Sequence, residues 1–338
     1  MYFSRMNVNY SFIIPVYNRP EEVEELLKSF ADFTTKILFE VVLVEDGSTI
    51  SSKPIVEKFV DRLDISYFEK ENSGPGDSRN YGMRKAKGDF FIILDSDVIL
   101  PKGYLNQVDD YLNHNNVDCF GGPDAAHQTF SSIQKAINFG MTSFLTTGGI
   151  RGKNKSVKEY EPRSFNMGIS KKAFLATKGF GKIHPGEDPD LAIRIKNKGF
   201  KTGFIEKAFV YHKRRIDWNK FFIQVNKFGK VRPILTSWHP ETSSIAFWFP
   251  ICFIFSIFFA TVFVLLSLYL PILLIFSYLF LIFFFSSIEN KSIYIGFLSV
   301  MAVLIQFYGY GIGFLKSTYY IRLLKKNPKK VFPELFFE

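Results

Sequence analysis

Cysteine is nearly absent: two residues in 338, Cys119 and Cys252. With one of the pair inside an apolar run, a disulfide framework is excluded. No secretory signal is expected either. The first apolar stretch, Phe12 to Val16, is short and runs into Asn18-Arg19, so the first 240 residues are expected to stay in the cytosol. Neither GxxxxGK[ST] nor GxGxxG occurs, which leaves a P-loop or dinucleotide fingerprint unsupported. There is no internal repeat. Charge is lacking in one place above all. The 47 residues from Thr242 to Ile288 carry none, and neither do the 24 from Ser292 to Leu315. About 20 apolar residues span a bilayer, and a globular helix is rarely apolar all round. The first run accommodates two spans with a tight reversal near Tyr269-Leu270-Pro271, the second run one.

What charge there is sums to +10. Its distribution argues against a nucleic-acid partner. Lys207, Lys213, Arg214, Arg215, Lys220, Lys227, Lys230 and Arg232 precede the apolar region. Lys316, Arg322, Lys325, Lys326, Lys329 and Lys330 follow it. Cations flanking spans match a cytosolic membrane face and its anionic lipids. Three crossings would carry the second group to the far side, so one apolar segment is expected to be re-entrant or interfacial. Gly309, Gly311 and Gly313 permit close helix packing there. Residues 217–235 put Trp218, Phe221, Phe222, Val225 and Phe228 opposite Lys220, Lys227 and Lys230. That pattern reads as an interfacial helix or as a surface helix packed on a core.

The first hundred residues alternate between strand and helix signals. Ser11 to Val16 reads as a strand. Pro20 opens a helix with Glu21 and Glu22 in its first turn and Val23, Leu26, Leu27 and Phe30 on one face. Glu40 to Val44, Ile65 to Phe68 and Phe90 to Leu94 read as further strands, with a helix near residues 76–87. Alternation of this kind predicts an α/β fold with a mostly parallel sheet. Ligands of such sheets sit at the carboxyl ends of the strands, where Asp46 and Asp95 fall. Residues 121–165, rich in Gly, Ser and Thr, read as a loop-heavy segment with little fold information.

Asp95-Ser96-Asp97 ends the fourth strand. Two acids one residue apart at a strand end can hold a divalent cation, and through it a diphosphate. Three further pieces accompany the triplet. They are Pro15-Val16-Tyr17-Asn18, Glu45-Asp46-Gly47-Ser48, and Gly186-Glu187-Asp188-Pro189-Asp190-Leu191 with Arg194 and Gly199. Asn72-Ser73-Gly74, Ser78-Arg79-Asn80 and Gly82 lead into the triplet itself. In this order and spacing, over residues 10 to 215, the set resembles the family 2 glycosyltransferases, whose fold is the Rossmann-like GT-A.

The resemblance implies inverting transfer of a sugar from a UDP- or GDP-linked donor, assisted by Mg²⁺ or Mn²⁺. It assigns Pro15, Tyr17, Glu45, Asp46, Arg79, Asp95 and Arg214 to the nucleotide sugar, with Asp46 accepting from the base. Asp95, Asp97 and His212 go to the metal, Asp188 to the general base, and Glu187 to acceptor positioning. Each also has a plainer reading. Asp46-Gly47-Ser48 makes a tight turn, and Asp188 before Pro189 makes a helix N-cap, with Gly199 closing the far end. Arg79 can be a solvated helix residue, His212 a structural one, and Lys213-Arg214-Arg215 a juxtamembrane run. The chain departs from the pattern at Glu45, where Asp is usual, and at Val98, where a further acid is common. The absence of QxxRW argues against a processive polymerase.

The expected organisation is a cytosolic catalytic domain over 1–215 and an interfacial basic segment over 216–241. A transmembrane region over 242–315 and a basic tail over 316–338 follow. The expected setting is the inner cell membrane, multi-pass, with the catalytic domain cytosolic. The anchor points to a lipid-linked saccharide acceptor. The alternatives are transfer to a polyprenyl phosphate and, in another class, a non-catalytic scaffold that keeps a sugar-nucleotide fold.

Overall fold

The computed structural model describes residues 9–125, 130–147, 161–213 and 217–337. The chain divides into two compact units. The first comprises Met1–Ala125, Lys158–His212 and Phe336–Glu338, the second Ala126–Val157 and Lys213–Leu335.

Among the described residues the first unit holds ten strands. They are β1 (Tyr10–Val16), β2 (Phe39–Asp46), β3 (Ile65–Lys70), β4 (Phe90–Leu94), β5 (Val98–Ile99), β6 (Cys119–Gly121), β7 (Asp124–Ala125), β8 (Asn166–Ser170), β9 (Thr202–Phe204) and β10 (Val210–His212). Seven form the main sheet in the order β3-β2-β1-β4-β8-β6-β9. The pairs β3-β2, β2-β1, β1-β4 and β6-β9 are parallel, and β8 runs antiparallel to β4 and β6. Strand order reverses between β1 and β4, and a crevice at the carboxyl ends opens at such a point.

Strands covered on both faces read as unbroken apolar runs, as β1, β2 and β4 do. Phe12, Ile14, Val41, Leu43, Ile92 and Leu94 turn to one layer, with the helices Pro20–Ala31 and Tyr104–His114. Ile13, Val42, Val44, Phe91 and Ile93 turn to the other, with the helices Pro75–Lys85 and Glu187–Asn197. Each such side chain, once buried, contributes about 1.5–3 kcal/mol. Gly82 lets its helix approach the sheet: a Cβ there would lie 2.6 Å from Ile13 Cγ2. Pro15 is tolerated in a central strand because β4 pairs β1 only as far as Ile13.

Three short strands make a second sheet, β5-β10-β7. Its register sets His212 opposite Val98 and Val210 opposite Asp124. A residue far along the chain is thus delivered beside the Asp95-Ser96-Asp97 turn.

The second unit is helical. Its elements include Ser132–Thr142, Trp218–Trp238, Phe249–Leu265, Leu270–Asn290 and Ile293–Ser317. Three helical stretches, Ile245–Leu265, Leu270–Asn290 and Ile293–Leu323, are long and apolar enough to cross a membrane. The reversal expected near Tyr269 falls at residues 266–269, with Ser267 at φ 59°.

One sequence expectation is corrected here. Residues 121–165 contain the helix Ser132–Thr142. It is opened by a reciprocal capping box between Ser131 and Gln134, a signal present in the sequence. Of the two readings of residues 217–235, the helix Trp218–Trp238 follows the packed one. Phe221 and Val225 are buried with Ile137, Met141 and Ala302, and Phe222 meets Tyr308 at 6.2 Å.

Candidate active site

The loops at the carboxyl edge of β1, β2 and β4 meet at the switch point. Asp46, the last residue of β2, is buried. Its carboxylate accepts from Lys70 Nζ at 2.6 Å and from the backbone N–H groups of Ser73 and Gly74 at 3.0 Å each. These three donors take three of the roughly four acceptor sites of the carboxylate. Glu45 is also buried. It accepts from Ser52 N at 2.8 Å, the Tyr67 hydroxyl at 2.9 Å and the Ser48 hydroxyl, and so holds the loop after β2. Pro15 is half-buried within β1, and the adjacent Tyr17 is 52% exposed, open to stack on a ring.

Asp95 and Asp97 leave β4 toward the crevice. Asp97 pairs with Arg19 Nη1 at 2.6 Å and lies 3.3 Å from His212 Nε2. Arg19 has no role in the sequence reading. Its signal there is its place as the one cation in the loop between β1 and the first helix. The imidazole of His212 stacks on Phe165 at 5.0 Å, and its Nδ1 lies 3.7 Å from Asp124. Asp95, Asp97 and His212 each offer one ligand atom, and these lie within 4.8 Å of one another. Two hard carboxylate oxygens and an imidazole nitrogen form a donor set that fits Mn²⁺ or Mg²⁺, with positions left for substrate phosphates.

Arg79 is not solvated. It is buried on the helix Pro75–Lys85 and bridges Asp95 at 2.7 Å and Glu187 at 2.9 Å. Burial works against its charge, but the two carboxylates outweigh that and raise its pKa. Phe180 covers the guanidinium at 5.3 Å. His184 Nδ1 completes the chain at 2.9 Å from Glu187. Desolvation pushes Glu187 upward, yet His184 and Arg79 overcome it and hold the carboxyl well below its ordinary range. Glu187 is therefore a buried carboxylate paired on both sides, with Arg79 and His184.

Asp188 is half-exposed and receives Ser164 N–H at 3.4 Å. Its expected capping position is corrected. The helix starts earlier, at Glu187, with Gly186 before it at φ 118°. Pro189 is accommodated because first-turn N–H groups have no helical partner. Glu187, Asp188 and Asp190 then share the first turn, where the helix dipole favours negative charge. Gly199 does close the far end, at φ 78°. Arg214 and Arg215 lie outside the described residues.

Residues 11–175 match the model of Glycosyl transferase family 2. This is a family 2 glycosyltransferase domain. Its architecture is that of the GT-A fold. The mannosyltransferase PcManGT of Pyrobaculum calidifontis, solved with GDP-Man and Mn²⁺, shares the fold at a TM-score of 0.51. Its sequence identity is 16%, over 66% of this chain and 63% of that one. The poly(ribitol-phosphate) beta-N-acetylglucosaminyltransferase TarS of Staphylococcus aureus is 36% identical over 115 residues, 33% of this chain and 20% of TarS. The GalNAc(5)-diNAcBac-PP-undecaprenol beta-1,3-glucosyltransferase of Campylobacter jejuni is 28% identical over 206 residues, 59% of this chain and 62% of that protein. The chain thus spans about a fifth of the length of the first relative and under two thirds of the second.

Proposed function

We propose that this glycosyltransferase moves a sugar, with inversion, from a UDP- or GDP-linked donor to a lipid-linked saccharide at the cytosolic face of the inner membrane. The observation that carries the reading is the convergence of Asp95, Asp97 and His212 within 4.8 Å at the switch point of the sheet. A divalent cation held there would supply Lewis acidity for the departing nucleoside diphosphate. Tyr17 stacks on the base and Asp46 orders the loop beneath it. Arg79 and Glu187 hold Asp95 in place. Asp188 accepts the proton of the acceptor hydroxyl, which attacks from the face opposite the leaving group, and a single displacement inverts the anomeric carbon. The Campylobacter relative, whose name gives a polyprenol-diphosphate saccharide as acceptor, supports the acceptor class. So does the set of three apolar helices.

The test is release of UDP or GDP by the purified, detergent-solubilised chain, screened over donor sugars with a lipid-linked acceptor, in Mn²⁺ and in EDTA. Turnover is expected only with metal. Asp97→Ala should lower it at least about 100-fold, since a metal's charge stabilisation is worth several kcal/mol. Full activity of Asp97→Ala in Mn²⁺ would remove Asp97 from the metal site.

A further inference from the structure

Given the membrane attachment proposed above, we infer that only the first two apolar helices cross the bilayer. The third, Ile293–Ser317, lies along the membrane face beneath them. The first two form a hairpin: Phe253 meets Tyr278 at 5.3 Å, so Phe249 stands level with about Ile282. The third helix begins beside the end of the second, with Phe297 against Phe283 at 4.7 Å and Ser299 against Ser286 at 2.6 Å. Were it to climb the hairpin as a third antiparallel span, Phe314 would reach the reversal near Ser267. It does not climb. Phe307 packs on Phe249 at 5.5 Å and Phe253 at 5.2 Å, and Phe314 packs on Trp248 at 5.0 Å. From Phe297 to Phe314 the helix advances about 25 Å at ~1.5 Å per residue, yet it stays at the level of the hairpin's base.

The hairpin above that level has the dimensions of a bilayer. Phe249 to Ser267 rises about 27 Å, against ~30 Å of hydrocarbon. Its outer side chains, among them Phe258, Phe259, Leu265, Leu270 and Leu274, are exposed, and its tip carries no charge.

Connectivity points the same way. Phe336 and Phe337 belong to the first unit. Phe336 bridges Ile183, and Phe337 N donates to Lys182 O at 3.0 Å. A unit that holds residues from both before and after the apolar helices lies on one side of the membrane. The chain between them therefore makes an even number of crossings. The six cations between residues 316 and 330 are then on the same side of the membrane as the glycosyltransferase domain, as positive charge near spans is on the cytosolic side.

Single cysteines read by a membrane-impermeant maleimide, on intact spheroplasts and on inverted vesicles, test this in a Cys252→Ser background; Cys119 is buried. Leu175→Cys, on the exposed surface of the first unit, marks the side of the glycosyltransferase domain. Glu289→Cys and Lys329→Cys should label from that same side, and Ser267→Cys from the opposite one. Labelling of Lys329→Cys from the opposite side would mean three crossings and overturn the inference. Opposite-side labelling of Glu289→Cys would put the crossing in the third helix, and same-side labelling of Ser267→Cys would make the hairpin re-entrant; either overturns it. A chain extracted from membranes by alkaline carbonate would instead refute the membrane attachment itself.

Discussion

His184, Glu187, Arg79 and Asp95 form an unbroken chain of alternating charge, with contacts of 2.9, 2.9 and 2.7 Å. Burial disfavours the charged imidazole, but Glu187 outweighs it and raises the His184 pKa. A raised folded-state value stabilises the fold fully below the unfolded value, near pH 6.5, and loses that effect as pH climbs through the folded one. For Glu187, held low, stabilisation is present above about pH 4.5 and is lost as pH falls through its folded value. His184→Gln, which keeps a hydrogen-bond donor, should therefore be most destabilising near pH 6 and least near pH 9. A melting-temperature difference constant across that range would show that His184 carries no extra proton. For Asp188 the expectation is kinetic. Asp188→Asn should cut transfer to a hydroxyl acceptor by about 10²- to 10⁴-fold, the usual worth of a general base. It should only reduce transfer to a phosphate, which is already an anion. Equal losses on both acceptors would assign Asp188 a structural role.

Elements were legible where local chemistry and burial agree. Pro20, Glu21 and Glu22 announce the first helix, and the apolar runs of β1, β2 and β4 match the sheet that buries them. The helix at Ser132 is less legible, since its one start signal, the capping box of Ser131 and Gln134, sits in a Gly-, Ser- and Thr-rich stretch. The start at Glu187 is less legible, because a proline such as Pro189 fits the first helical position equally well. The glycine-rich helix shows where pattern stops informing. Gly309 and Gly313 signal close packing, but the partner is the lysine-bearing helix Trp218–Trp238. A Cβ at Gly313 would lie 2.3 Å from Asn226 O, and one at Gly229 would lie 2.1 Å from Tyr310 O. Asn226 also donates to Gly309 O at 2.9 Å. Gly229→Val should force these backbones apart and cost about 1–3 kcal/mol, read as a lower melting temperature in detergent. An unchanged value would mean the two helices are not in contact.

At the scale of the whole molecule, the first unit is closed by residues more than a hundred positions away in the chain. The Phe337 ring lies where a Cβ on Gly74 would come within 2.4 Å of it, and 6.1 Å from His184. Phe337→Ala should destabilise the glycosyltransferase domain by about 1–2 kcal/mol, as loss of a partly buried aromatic does. A wild-type unfolding midpoint for this variant would detach those residues from the domain. By itself the sequence determined the α/β alternation, the acids at strand ends and the uncharged runs. Each of these follows from local periodicity, solvation or charge within a few residues. Only the tertiary structure decided that His212 meets Asp97, that Arg19 and Arg79 neutralise the acidic turn, and that the third apolar helix lies across the hairpin. Those contacts join residues far apart in the chain, and their geometry is set by the twist of the sheet, the register of β5 with β10 and the close packing of helices, none of which a local pattern encodes.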